Sequence, residues 1–254
     1  MTQTTLQFGF DTGAATHTGH VRECNEDSFI ALPAAGLWVV ADGMGGHDAG
    51  DIASAIITEE IESVGIPVSA LDLRARVAER LGRAHGRITA HSQELGHATV
   101  GSTVAALLIF GDGFACLWAG DSRIYLLRGG RLSRLTTDHS EVQELIEAGR
   151  LTEEQARTWP RRNVITRAVG IHAAPNLDQV TGAVQEGDVF LLCTDGLTEH
   201  LRDPELAAAL AGRDTPQRAA DALVAETLAR GARDNVTTIV LRCLPPLDPD
   251  GDAP

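Results

Sequence analysis

The 254-residue chain has no apolar run approaching the roughly 20 residues that a membrane-spanning helix needs. Its first ten residues, MTQTTLQFGF, lack the basic start and apolar stretch of a secretory signal. No membrane span is expected, and the reading places the protein in the cytoplasm. Cysteine is scarce: Cys24, Cys116, Cys193 and Cys243 stand far apart and form no C-x-x-C pair. That spacing argues against a disulfide framework or a thiolate metal site, and three of the four sit in apolar runs where they read as buried thiols. No C-x5-R loop follows Cys24 or Cys193, which argues against a cysteine nucleophile. None of the nine histidines falls in an H-E-x-x-H or similar zinc spacing. Positive charge is also short, with 21 basic against 35 acidic residues and a net charge of −14. Nucleic-acid binding relies on clustered cations, so it is not expected. An anionic substrate would have to meet bound cations that invert the local field.

What is present is an ordinary globular composition, 43% hydrophobic and 22% charged, with no repeat and no low-complexity tract. A single domain over residues 1–243 is expected, followed by a Pro- and Asp-rich disordered tail at 244–254. The run from Gly36 to Ala41 reads as a short strand that ends at Asp42 and the turn DGMGG. Helical spacing follows over Asp51–Val64, and again from Leu73 to Ile88. STVAALLIF, FACLWAG, IYLLR and RLSRL then predict a meander of hairpins broken at glycine-containing turns. A helical insertion is predicted over 140–158, with Thr152 and Gln155 as a capping box. A strand pair at about 179–184 and 189–194, a helix opening at Pro216 and a strand over Thr237–Cys243 complete the chain. Helices flanking a mostly antiparallel β core make the class α+β.

Four aspartates lie beside glycine or at a tight turn next to an apolar strand: Asp42 in VVADG, Asp121 in LWAGDSR, Asp195 in LLCTDG and Asp234 in GARDN. Any one of them is an ordinary turn residue. Four at strand ends could converge on one rim of the core. A cluster of carboxylates repels itself unless a hard divalent cation binds, and all-oxygen ligation suits Mg²⁺ or Mn²⁺ rather than Zn²⁺.

These segments, together with GHVRECNEDSF, GSTVAALLI, TTDHS, RRNVITRAVG and GARDNVTTIV, resemble in order and rough spacing the bacterial branch of the type-2C metal-dependent protein phosphatases, from about Phe8 to Arg242. The resemblance implies a central antiparallel β sandwich with helices on both faces, and a small helical flap at about 138–165 beside the site. It implies a monomeric enzyme that hydrolyses phosphoserine and phosphothreonine in proteins, opposing a cognate eukaryotic-like Ser/Thr kinase. Two Mn²⁺ or Mg²⁺ ions are implied, and a third, weaker one. By motif position Asp42 is the shared ligand, with the Gly43 carbonyl on one ion and Asp195 and Asp234 on the other. Glu26 acts through water, Asp27 is a neighbouring support, and Asp121 with Asp195 marks the third ion. Arg22 matches the residue that binds the substrate phosphate, for which a guanidinium fork is suited.

The chain departs from eukaryotic relatives in one place: Met44 stands where they carry a histidine proposed as general acid. His47 is nearby but reads as structural. Arg161 and Arg162, at the end of the flap, are candidates for greeting an acidic phosphopeptide. Two alternatives share the motifs, a small-metabolite phosphohydrolase and a catalytically weak phosphoprotein-binding module.

Overall fold

Runs such as LWVV and VFLLC are apolar at every position, so neither face of their strands can meet water. They need cover on both sides. The computed structural model, which describes residues 8–46, 49–212 and 214–246, provides it as four layers, with helices outside and two antiparallel sheets inside.

In chain order the elements are β1 (Phe8–His17), β2 (Asp27–Leu32), β3 (Leu37–Gly45), α1 (Ala49–Glu62), α2 (Ala70–Glu94), β4 (Val100–Ser102), β5 (Val104–Phe110), β6 (Gly113–Ala119), β7 (Arg123–Arg128), β8 (Arg131–Arg134), α3 (Glu141–Glu147), α4 (Glu153–Arg157), β9 (Asp178–Ala183), β10 (Val189–Cys193), α5 (Asp195–Thr198), α6 (Asp203–Ala211), α7 (Pro216–Ala229) and β11 (Val236–Pro246). One sheet runs β1-β11-β10-β7-β8; the other runs β2-β3-β5-β6-β9, with β4 added to β3. No helix among the described residues is long and apolar enough to cross a membrane.

Strand alternation sorts the side chains between layers. Along β3, Leu37, Val39 and Ala41 pack under α1 and α2, while Trp38 and Val40 enter the space between the sheets. Along β10, Phe190 and Leu192 face that same space, and Val189, Leu191 and Cys193 lie under α6 and α7. Each fully buried Leu, Ile or Phe contributes about 1.5–3 kcal/mol, so the three apolar layers fix the register of the sheets. Cys116, Cys193 and Cys243 are buried thiols, and Cys24 is exposed.

Three sequence expectations are corrected by the topology. The strands near 179–184 and 189–194 are not a pair: β9 adds to β6, whereas β10 lies between β11 and β7 in the other sheet. The meander is likewise interrupted, because the Gly120–Ser122 turn carries the chain from one sheet to the other rather than closing a hairpin. Adjacent apolar runs look alike in sequence whether they share a sheet or face each other across the core. The tail expected from 244 also starts later, since β11 runs on to Pro246, which pairs with Phe8; residues beyond it lie outside the described residues.

The β9–β10 crossing is held by a buried ion pair. Asp188, 1% exposed, accepts from Arg128 Nε at 2.7 Å and Nη2 at 2.6 Å, and from the Gln185 N–H at 2.8 Å. Asp188→Ala would strand these donors and is expected to remove about 2–3 kcal/mol. Thermal melting would show it as a Tm lower by roughly 5–10 °C.

Candidate metal centre

β3 does not end at Asp42 as its sequence suggested. It pairs with β5 as far as Val40–Ala105 and then takes β4 from Gly43–Ser102 to Gly45–Val100, so Asp42 sits at the seam between two partners. Thr103 closes the seam: its N–H donates to the Asp42 carbonyl at 2.8 Å, and its Oγ1 accepts the Asp42 N–H at 3.0 Å. The next residue must be glycine, because a Cβ on Gly43 would collide with the Gly50 carbonyl and lie 2.7 Å from that of Glu26. The first turn of α1 thereby comes close to Glu26, whose carboxylate takes the Gly50 N–H.

The other carboxylates arrive from separate elements. Asp121 lies in the sheet-crossing turn. That turn is clamped by His139, which donates its N–H to the Gly120 carbonyl at 2.9 Å and accepts the Gly120 N–H on Nδ1 at 3.2 Å. Asp195 opens α5 after Thr194, whose hydroxyl donates to Asp27 Oδ2 at 2.8 Å. Asp234 precedes β11, and its Oδ1 takes the Asn235 N–H at 2.9 Å. Asn235 also ties down the loop carrying Arg22 and Glu26. It accepts the Glu26 N–H at 2.8 Å and donates to the carbonyls of Thr18 at 2.8 Å and Cys24 at 2.9 Å. The sequence reading left Thr103, His139 and Asn235 without roles, although all three stand in the motifs it used.

Two sheets and two loops therefore bring the predicted aspartates to one rim. Burial, followed by repulsion from Asp27, Asp195, Asp121 and Asp234, holds Asp42 well above the usual carboxylate range. Asp121 is raised in the same sense, first by burial and then by Asp195. Burial pushes Asp27 and Asp195 up to about 7, and the neighbouring aspartates add to it. The balancing cations are Arg22, whose Nη2 lies 2.8 Å from Asp234 Oδ2, and Arg123, which forks onto Asp138 at 2.6–2.9 Å through Nη2 and Nε.

The donor set fits hard divalent cations. Asp27 Oδ1 is buried with no hydrogen-bond partner, and the surrounding charge is acidic oxygen that ordinary protein donors leave uncompensated. No three His, Cys, Asp or Glu side chains among the described residues form a ready-made cage. Mg²⁺-like ions do not require one, because they retain several waters and are anchored by one or two carboxylates each.

Around this rim the remaining sequence candidates separate. Arg161 is tied to Glu141 at 2.7 Å, and Arg162 reaches Glu199 at 3.5 Å. Met44 packs by its terminal methyl against Gly101. His47 lies outside the described residues.

The raised carboxyl groups link stability to pH. Asp27 and Asp195 titrate near 7 when folded against 3.8 as free side chains, so their favourable contribution is complete below about 3.8 and is lost as pH rises through 7. In EDTA the Tm is expected to fall between pH 6 and pH 8. Mn²⁺, which displaces those protons, should reverse the trend and release protons on binding. Melting curves with and without Mn²⁺ across that range check both signs.

The sequence profile described as Protein phosphatase 2C matches residues 14–236. The chain is 31% identical over 234 residues to the serine/threonine phosphatase stp of Listeria monocytogenes, covering 89% of this chain and 93% of that protein. It is 35% identical over 229 residues to the serine/threonine protein phosphatase PstP of Mycobacterium tuberculosis, covering 89% of this chain and 44% of PstP. Among solved structures, PppA, described as a key regulatory component of T6SS in Pseudomonas aeruginosa, superposes with a TM-score of 0.86 at 39% identity, covering 94% of this chain and 99% of PppA. The catalytic domain of PstP in complex with two manganese ions gives 0.82 at 31% identity, covering 94% and 100%. The family-wide match, these identities and the shared four-layer architecture lead to one conclusion: the chain belongs to the protein phosphatase 2C family.

Proposed function

We propose that this acidic rim carries out metal-dependent hydrolysis of phosphoserine and phosphothreonine in proteins, with Asp42 as the ligand shared by two Mn²⁺ or Mg²⁺ ions. The Gly43 carbonyl serves one ion, and Asp195 and Asp234 serve the other. When bound, the cations make water nucleophilic near neutral pH and offset charge on the transferring phosphoryl group. The remaining work belongs to side chains of this chain. Glu26, held at the first turn of α1, orients water at the edge of the site. Asp27, braced by Thr194, places negative charge behind Asp42. Asp121, with Asp195, offers a third and weaker cation position. Arg22 has one nitrogen on Asp234 and a half-exposed side chain, which leaves other N–H donors for a substrate phosphoryl oxygen. No protein nucleophile takes part.

The observation that carries this reading is the convergence of Asp27, Asp42, Asp121, Asp195 and Asp234 from separate elements with few balancing cations. Turnover of an aryl phosphate and of phosphoserine and phosphothreonine peptides is expected with Mn²⁺ or Mg²⁺, to be lost in EDTA, and to resist vanadate, which traps enzymes with a protein nucleophile. Undiminished turnover in excess chelator would overturn the metal assignment. We further place the enzyme in the cytoplasm as a monomer with a single catalytic domain. An enzyme that strips phosphoryl groups from serine and threonine needs a protein kinase to supply them, and a eukaryotic-like Ser/Thr kinase is that counterpart.

A further inference from the structure

All 21 basic residues of this chain are arginine, in a protein of net charge −14. Seven of them line one groove of about 840 Å³, whose lining includes Asp121 and Asp195 and runs along α3 and α4 to the segment around Arg202 and the loop before β11. That volume is at the upper end for ligand clefts. Five of these arginines are engaged: Arg123 and Arg134 with Asp138, Arg157 with Glu154, Arg162 with Glu199, and Arg230 with Glu205 and Glu226. Arg202 and Arg233 are different. Both are exposed, and neither makes an ion pair among the described residues.

We infer that this groove is a docking site for an acidic segment of the phosphoprotein, and that Arg202 and Arg233 select aspartate or glutamate close to the phosphorylated residue. The inference rests on the metal reading above, since the same cavity wall that presents Asp121 and Asp195 must hold the scissile phosphate. An extended peptide advances about 3.3 Å per residue, and Arg202 and Arg233 line the same groove as Asp121 and Asp195, so a chain leaving the metal rim along that groove would run towards them. Their planar forks match carboxylates in two-point contact. Six carboxylates share the lining: Asp138 and Glu199 are paired with arginines, Asp121 and Asp195 belong to the metal rim, and Glu153 and Asp203 are exposed. The attraction for an acidic segment is therefore local to Arg202 and Arg233 rather than spread along the groove. Arg161, the other flap candidate, is held on Glu141 and does not line the groove.

The test compares two phosphoserine peptides, one flanked by glutamates and one by alanines, on the wild type and on the double variant Arg202→Gln/Arg233→Gln, each normalised to its own Mn²⁺-dependent aryl phosphate turnover. The wild type should favour the acidic peptide by about tenfold in kcat/KM, carried by KM, with the preference shrinking as salt is added. In the double variant that ratio should approach one. The reversed pair Arg202→Glu/Arg233→Glu should prefer a lysine-flanked peptide, a gain that a folding defect would not give. Equal use of both peptides by the wild type, or an unchanged ratio in the double variant, would overturn the docking site. Aryl phosphate hydrolysis indifferent to Mn²⁺ would instead overturn the metal reading beneath it, so the two failures are told apart.

Discussion

Asp42→Asn is expected to reduce kcat by at least about 10³-fold, on the scale of losing a principal electrostatic contributor to a metal-assisted reaction. The substitution preserves size and the backbone bonds to Thr103 while removing the charge that both ions would share. Its effect on stability should have the opposite sign. In the metal-free wild type, Asp42 is held among Asp27, Asp195, Asp121 and Asp234 at an electrostatic penalty, so the variant should melt at or above the wild-type temperature in EDTA. What it should lose is the response to Mn²⁺. A ligand at 100 times its Kd stabilises the native state by about 2.7 kcal/mol, or roughly 5–10 °C for a chain of this size. That shift should be present in the wild type and nearly absent in Asp42→Asn. A variant that melted and bound Mn²⁺ like the wild type would remove Asp42 from the centre of the site.

The second large effect separates Asp234 from Asp121. Asp234→Ala deletes a proposed core ligand and also releases Arg22, whose Nη2 it holds at 2.8 Å. Metal affinity and turnover should fall together, with kcat/KM lower by about 10³-fold or more. Asp121→Ala acts further out, in the turn clamped by His139. The core ions and most of the Mn²⁺-induced Tm shift should survive, while phosphopeptide turnover drops by about 10–100-fold. The loss is expected because Asp121 would anchor the ion that helps orient the leaving group, and Met44 offers no acidic proton in its place. Calorimetric Mn²⁺ titrations beside steady-state rates distinguish the two. Full activity in Asp121→Ala, or a loss of core metal as complete as in Asp234→Ala, would erase the proposed division.

The candidate rim was partly legible from residues alone, because Asp42, Asp121, Asp195 and Asp234 each interrupt or flank an apolar run, and the structure brings these interruptions together. The α1 and α2 periodicity and the Thr152–Gln155 capping box were equally local, and both are present in the fold. What could not be read were the non-local choices. Nothing local to the glycine turns shows that the one before Ser122 crosses sheets while Gly129-Gly130 closes a hairpin; the difference lies in which core each strand fills. The continuation of β3 past Asp42 depends on β4, roughly 60 residues later in the chain and reached through two helices. The functions of Thr103, His139 and Asn235 lie in hydrogen bonds to distant backbone, and an Asn after Asp looks like any turn until the loop it clips is in place. The pairing of Arg161 with Glu141 and the availability of Arg202 and Arg233 are likewise tertiary facts.

The most direct measurement is a crystal structure of the wild-type protein grown with Mn²⁺ and recorded at the manganese absorption edge, which locates the ions without reference to activity. Two strong anomalous peaks are expected, both within ligating distance of the Asp42 carboxylate, one also touching the Gly43 carbonyl and the other Asp195 and Asp234. Peaks elsewhere, or a single ion that leaves Asp42 uncoordinated, would contradict the assignment of this rim as the two-metal centre.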